Sequence, residues 1–274
     1  MNLNLLTVQK IQRGAVVIHC CTSPDNGERV NAQIVETPNR LVVVDAMLLR
    51  AHAKELRAYA DSLGKPIDRI FITHAHPDHW FGIEFFQDVP SYALAETMGE
   101  LQFMAPIAIG FHRSNHGDGV IDKAIFPTNT IAEGPFEIDG IGFRAMKITS
   151  AEDLFLLALD IPSIQTLIAQ DLVYNKVHLF VGQLDQNGGT CFDGWIAALE
   201  TFKQTNYTLV LPGHGVPTDA SVFAESIAYL NRMRELVATS TGQNFVERAM
   251  ATFPDYELRS MLDMSAYFLF KPPQ

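Results

Sequence analysis

Thr73-His74-Ala75-His76-Pro77-Asp78-His79-Trp80-Phe81-Gly82 follows directly on the apolar stretch Arg69-Ile70-Phe71-Ile72. Three imidazoles and one carboxylate fall within the six residues 74–79. Residues two apart on a strand share a face, so His74 and His76 leave the strand end side by side. Pro77 bends the chain and puts Asp78 and His79 where a helix starts, at Trp80-Phe81-Gly82-Ile83-Glu84-Phe85-Phe86. Imidazole nitrogen with carboxylate oxygen suits zinc, iron or manganese, and imidazoles this dense repel one another once protonated. The plainer alternative is a histidine-rich polar loop in which Asp78 is only a helix N-cap. Four donors at strand-end spacing argue against it.

The whole chain can house such a site. At 274 residues it sits between one and two domains, and 47% apolar with 19% charged residues is an ordinary globular mix. No window is apolar enough for a membrane span, and Tyr267-Phe268-Leu269-Phe270 is far too short. Met1-Asn2-Leu3-Asn4-Leu5-Leu6-Thr7-Val8-Gln9-Lys10 does not read as a signal peptide. Three cysteines, with Cys20 and Cys21 adjacent on a strand, offer no disulfide framework and suit a reducing cytoplasm. A net charge of −11 disfavours nucleic acid as a partner.

Strand and helix signals alternate through the first half. Asn31-Ala32-Gln33-Ile34-Val35-Glu36 and Arg40-Leu41-Val42-Val43-Val44-Asp45 read as a hairpin around Thr37-Pro38-Asn39. Residues 48–63 carry apolar positions at helical spacing and stop at Gly64-Lys65-Pro66. Ser91-Tyr92-Ala93-Leu94-Ala95 suggests a strand and 96–108 a helix, whereas 110–119 reads as a loop by composition. Strand candidates follow at 136–138, 141–146, 154–161 and 166–169, then a helix at 195–203 and the strand Tyr207-Thr208-Leu209-Val210-Leu211. From Ala220 onward the pattern is mostly helical. Two strand-rich halves closed by helices imply sheets packed face to face with helices outside.

Two more loops begin where strands end. Ile168-Ala169-Gln170-Asp171 puts a carboxylate there, and Leu209-Val210-Leu211-Pro212-Gly213-His214-Gly215 an imidazole flanked by glycines. Taken alone, Asp171 reads as a turn residue and His214 as a surface histidine; beside the cluster both become candidate ligands. Tyr174, three residues past Asp171, can donate a hydrogen bond to a developing oxyanion, or be a core aromatic with its hydroxyl satisfied. His178 reads as a hydrogen-bonded structural residue, His112 and His116 as members of a solvated loop able to act as a lid, and His19 and His52 carry no functional reading.

Thr73-His74-Ala75-His76-Pro77-Asp78-His79, Asp171 and Pro212-Gly213-His214-Gly215 resemble the metallo-β-lactamase-fold hydrolase superfamily, over about residues 16–214. Asp45, ending an apolar strand, matches that family's early structural aspartate. The resemblance implies an α/β fold of α+β type, a four-layer αβ/βα sandwich of two packed mixed β-sheets with outer helices and a metal site at one sheet edge. Residues 1–219 would form this domain and 220–274 a helical C-terminal extension packed on it. It further implies His74 and His76 on a first metal, Asp78, His79 and His214 on a second, and Asp171 bridging both. Tyr174 matches a tyrosine that faces the substrate carbonyl in lactonases of the superfamily.

One departure stands out. Where the family supplies a third histidine to the first metal, this chain reads Ile148-Thr149-Ser150-Ala151-Glu152-Asp153, with Ser150 at the histidine's place. A serine hydroxyl is a poor zinc ligand. Glu152, two residues on, can reach in with a carboxylate or be a solvated acidic turn residue. Gln170 also replaces the usual glycine before the bridging aspartate.

The reading that results is a hydrolase with one or two divalent metal ions, zinc first and iron or manganese as alternatives. Water activated by the metal attacks an ester, lactone, thioester or amide of a small molecule. Asp78, if freed from the metal, or Asp171 hands a proton to the leaving group, and Tyr174 supports the oxyanion. Two rivals remain open: an iron-dependent oxidoreductase on the same scaffold, and a non-catalytic relict motivated by Ser150. The apolar positions after Ala220 complete the core, cap the pocket or form a homodimer face.

Overall fold

The structure, a computed structural model, describes residues 5–270. Met1, Asn2, Leu3 and Asn4, part of the segment read as leaderless, lie outside the described residues, as do the last four of the 220–274 extension.

The first half runs β1 (Thr7–Arg13), β2 (Val16–Thr22), β3 (Asn31–Glu36), β4 (Leu41–Val44), α1 (Arg50–Ser62) and β5 (Ile67–Phe71). It continues through α2 (Pro77–Trp80), a 3-10 segment (Phe81–Phe86), β6 (Ser91–Ala93), α3 (Ala95–His116) and β7 (Asn129–Thr130). The second half holds β8 (Gly134–Ile138), β9 (Ile141–Thr149), β10 (Phe155–Ile161), β11 (Thr166–Asn175), α4 (Phe192–Phe202) and β12 (Leu209–Gly215). It closes with α5 (Ser221–Ala238), α6 (Gly242–Thr252) and α7 (Ser260–Leu269).

Strands β1 to β7 form one seven-stranded sheet in chain order, antiparallel up to β4 and parallel beyond it. The other sheet has five strands in the order β12-β11-β10-β9-β8, and its one parallel pair is β11 with β12. Both sheets are mixed, as expected.

Side-chain alternation explains the layers. Val42 and Val44 of β4 face the gap between the sheets, where they meet Leu157, Leu159, Ile168, Leu209 and Leu211. Leu41 and Val43 turn the other way, onto Leu56, Ala60, Leu101 and Ala105 of the helices outside. Leu156, Ala158, Leu167 and Val210 likewise face away from the gap, onto Trp195, Leu199, Phe223 and Leu230. Strands covered on both faces read as unbroken apolar runs, which is why 41–44 and 167–169 carry no polar alternation. The result is the four-layer αβ/βα sandwich. Helices α5, α6 and α7 pack into the same cluster as α4 and β11, through Tyr229, Met233, Phe245 and Leu262.

Three expectations about elements need correction. Residues 110–119 are not a loop: α3 runs on to His116 and ends in a short 3-10 turn. Thr97, Leu101, Ala105, Ile109 and His112 recur at helical spacing and are all buried, whereas the polar residues that suggested a loop cover the outer face. Phe103, Ile107 and Phe111 also stay exposed on this helix. The second correction concerns β11, which continues to Asn175 instead of ending near Asp171; its pairing with β12 breaks between Gln170 and Tyr174. Asp171 therefore sits in an irregularity inside a strand, of the kind that re-aims a side chain. Third, the helix after the histidines starts at Pro77, whose missing N–H suits a first helical position, and tightens to 3-10 geometry at Phe81.

Gly82 shows how closely that turn is packed: a Cβ there would run into the Ala46 carbonyl oxygen and the Ala53 methyl. Gly82→Ala is expected to lower unfolding free energy by about 1–3 kcal/mol in urea titrations. Gly99→Ala, in α3 with nothing within 4 Å of the new methyl, is expected to raise it by roughly 0.5–1 kcal/mol. Equal effects from the two would contradict the packing described.

Candidate metal centre

The site forms where β4, β5, β9 and β12 end and β11 breaks. Asp45, just past β4, is the first piece. Its carboxylate is fully buried and accepts from Thr73 N–H at 2.9 Å, from Thr73 Oγ1 at 2.8 Å, from His79 Nδ1 at 2.7 Å and from Gln170 Nε2. One carboxylate thus ties the end of β4 to the histidine loop and to the irregular part of β11.

Three of the imidazoles are set by what their outer nitrogen meets. His79 Nδ1 donates to Asp45, His214 Nδ1 to the Glu28 carbonyl at 2.7 Å, and His74 Nδ1 to Thr73 Oγ1 at 3.0 Å. Each therefore presents an unprotonated Nε2 inward whenever the ring is neutral, the form a metal takes. The Asn31 amide donates to the Pro212 and Gly215 carbonyls and pins the loop carrying His214. Gly213 is required there, since a Cβ would collide with Asp171 Oδ1.

The inward atoms converge into two groups. His74, His76, Glu152 and Asp171 form one, and Asp78, His79 and His214 the other, each with its ligand atoms within 4.8 Å of one another. His79 Nε2 lies 3.2 Å from Asp78 Oδ2 and 3.3 Å from Asp171 Oδ1, and His214 Nε2 lies 3.3 Å from Asp78 Oδ2 and 3.4 Å from Asp171 Oδ2. His74 Nε2 lies 3.8 Å from the same Asp171 oxygen and 3.5 Å from Glu152 Oε2. Asp171 stands between the groups, in reach of both.

Ser150 is not the residue that fills the missing histidine's place. It is exposed on the turn after β9, at a positive φ of 54°. Glu152 is the one that turns inward, 1% exposed, with Oε1 3.0 Å from His76 Nδ1. The reading of Glu152 as a solvated turn residue is overturned by that burial. Asp153 turns the loop with it, by accepting from the Ala75 N–H at 3.0 Å. Tyr174 is buried at the site and donates to Asp171 Oδ2 at 2.6 Å and to Glu152 Oε1 at 3.2 Å. Its hydroxyl is satisfied, but by site carboxylates.

The other histidines lie elsewhere. His178 bonds the Tyr229 hydroxyl at 2.9 Å, His19 bonds Tyr59 and Glu36, and His52 is buried against Gly27. His112 and His116 stack on α3 and belong to neither ligand group. Sequence reasoning missed the Glu28 carbonyl, Asn31 and Asp153 as supports. A backbone carbonyl leaves no signature in residue type, so Glu28 offered no signal.

Charge in the cluster is tightly opposed. Burial works against every ionised form. It prevails at His74, helped by neighbouring His79, and pushes that imidazole well below its ordinary value. At His76 burial is outweighed by Glu152 and Asp153, and at His79 by Asp171 and Asp78, so both rise well above theirs. Asp78 and Asp171 are buried too, yet His79 and His214 hold both well below the usual carboxylate range. Glu152 is pushed up to about 7 by burial.

The donor set fits a cation. His74 Nε2, His79 Nε2, Glu152 Oε2, Asp171 Oδ1 and His214 Nε2 are buried without a hydrogen-bond partner. Unsatisfied buried polar atoms are rare, and five facing one another mark a place for an ion. A divalent cation would replace the protons that otherwise balance these carboxylates.

The sequence model of the metallo-beta-lactamase superfamily matches residues 25–214. The chain belongs to that superfamily. Solved structures agree on the fold. A metallo-beta-lactamase from Pontibacter korlensis superposes with a TM-score of 0.64 at 21% identity, covering 82% of this chain and 99% of its own. TMB-1 gives 0.65 at 18% identity, over 85% of this chain and 100% of its own. The DIM-1 metallo-beta-lactamase exposed to ceftazidime gives 0.63 at 17% identity, over 85% and 99%. No curated protein matches the sequence.

Asp45→Ala removes the shared acceptor of Thr73, His79 and Gln170. Metal affinity, measured by chelator competition, is expected to fall about 10–100-fold. An unchanged affinity would show that Asp45 does not orient the ligands.

Proposed function

We propose that this superfamily member hydrolyses an ester, lactone, thioester or amide bond of a small molecule, with one or two divalent cations held by His74, His76, Glu152, Asp171, Asp78, His79 and His214. The observation that carries this reading is the set of five buried, unpartnered donor atoms facing one another. A cation bound there would acidify a water and polarise a carbonyl. Membership of the superfamily, with the donor cluster, supports metal-dependent hydrolysis at that level; the bond and substrate are the finer part of the proposal.

The side chains divide the remaining work. Asp78 lies beside both His79 and His214; if freed from the cation, it, or else Asp171, would hand a proton to the leaving group. Tyr174 has its hydroxyl at 2.6 Å from Asp171 and can turn that donor to an oxyanion without changing charge. Zinc is the first choice of metal for imidazole and carboxylate donors. A reducing cytoplasm is supported by three cysteines that are all free and buried. Among the described residues no helix is long and apolar enough to cross a membrane.

A second reading has its own support. His74, His76 and Glu152, like Asp78, His79 and His214, form a set of two histidines and one carboxylate, the donor type that holds iron with open positions. An iron-dependent oxidoreductase would yield coloured, iron-containing protein that consumes oxygen; a colourless, iron-free preparation that consumes none removes it. Against the relict reading stands Glu152, buried within the first group of candidate ligands.

The joint variant Asp78→Ala, His79→Ala, His214→Ala tests the assignment by elemental analysis. At least one ion per chain is expected to be lost, and full occupancy in that variant would defeat the proposal. Tyr174→Phe is expected to lower kcat about 100-fold with metal content unchanged, the scale seen when an oxyanion donor is removed. Equal kcat would take Tyr174 out of the reaction.

A further inference from the structure

The approach to the cluster is one-sided. The side chain of His76 is 23% exposed, whereas those of His74, Asp78, His79, Glu152, Asp171 and His214 are 8% or less. His76 is therefore the candidate ligand that a substrate would meet first. The His76 ring meets Phe180 edge-on at 5.4 Å, Phe180 meets Phe268 of α7 edge-on at 5.9 Å, and Phe268 meets Tyr267 at 5.3 Å. Phe180 is buried, and Phe268 and Tyr267 are 43% and 53% exposed. A row of aromatic rings thus leads from the accessible ligand to the surface.

This row is built, not incidental. A Cβ on Gly182 would stand 2.7 and 2.9 Å from the Phe180 ring and 3.1 Å from the Ser265 backbone, so the ring occupies space that only glycine leaves. The Val181 N–H donates to Ser265 Oγ at 2.9 Å, which fastens the Phe180 loop to α7. Behind Phe180 an apolar void of about 10 Å³ continues between Ala151, Cys191, Phe192 and Trp195.

We propose that α7 and the Phe180 loop form the acyl-binding wall of the site, so that its substrates carry an aliphatic or aryl acyl group that lies along Phe180, Phe268 and Tyr267. This rests on the hydrolase reading and names the substrate class for it. Phe180 and Phe268 determine specificity; neither acts on the reacting atoms. Each buried methylene favours binding by roughly threefold to fourfold. A chain long enough to run from His76 to Phe268 should then be preferred over acetyl at least about tenfold.

The test uses the full-length, metal-loaded protein and hydroxamates, which bind through the metal and need no turnover. Calorimetry compares acetohydroxamate with octanohydroxamate. The unaltered protein is expected to bind the octanoyl compound at least about tenfold more tightly. Phe180→Ala with Phe268→Ala should bring that ratio to within about twofold, with the loss falling on the octanoyl compound. Gly182→Ala, which displaces the Phe180 ring without removing it, should lower the ratio too. Equal affinities in the unaltered protein, or a ratio that survives in the double variant, overturn the wall and leave the metal centre standing. Binding of neither hydroxamate to metal-loaded protein overturns the hydrolase reading, and the wall with it.

Discussion

The carboxylate of Asp45 accepts hydrogen bonds from Thr73 and His79 at the two ends of the histidine loop and from Gln170 of β11. It is fully buried, so these donors stand in place of the water its oxygens would otherwise meet. The same bonds decide geometry. They hold His79 with Nε2 inward, fix the first residue of the histidine loop, and draw the break in β11 against β4. Gln170 takes a positive φ of 43° at that break, a conformation favourable for glycine and strained for other residues. The hydrogen bond that its side-chain amide donates to Asp45 is a compensating attachment that a glycine could not make.

From this anchor the chemistry of the centre follows as a problem in buried charge. Asp78, Glu152 and Asp171 are carboxylates with almost no access to water, and each needs positive charge nearby. Protonated imidazoles at His76, His79 and His214 supply it in part, at the cost of mutual repulsion that, with burial, keeps His74 neutral. A cation between them removes that repulsion and satisfies the unpartnered nitrogens together. Substituting Glu152 for a histidine alters the balance: each group then joins two imidazoles to a carboxylate of its own, and Asp171 touches both.

Much of this was readable because the decisive donors are contiguous. His74, His76, Asp78 and His79 owe their placement to strand alternation followed by a proline-started helix, and both are local signals. The layers were readable for a similar reason, as 41–44 and 167–169 are apolar without alternation. What failed was non-local. Residues 110–116 look like a loop in composition, yet burial of Ile109 and His112 keeps them helical. Glu152 looks like any acidic turn residue, and nothing near it in sequence says that Asp153 will turn the segment inward through Ala75. Nor did the sequence show that Phe180 and Phe268, 88 residues apart by their numbering, would meet edge-on beside His76.

The central claim is that His74, His76, Asp78, His79, Glu152, Asp171 and His214 hold cations. X-ray diffraction from metal-loaded crystals, collected on both sides of the absorption edge of the added zinc, manganese or iron, tests it most directly. The account predicts anomalous peaks at coordination distance, about 2.0–2.3 Å, from His79 Nε2 and His214 Nε2 and from His74 Nε2 and Glu152 Oε2. Loaded crystals with no peak between these atoms, or with every peak elsewhere on the molecule, would contradict it.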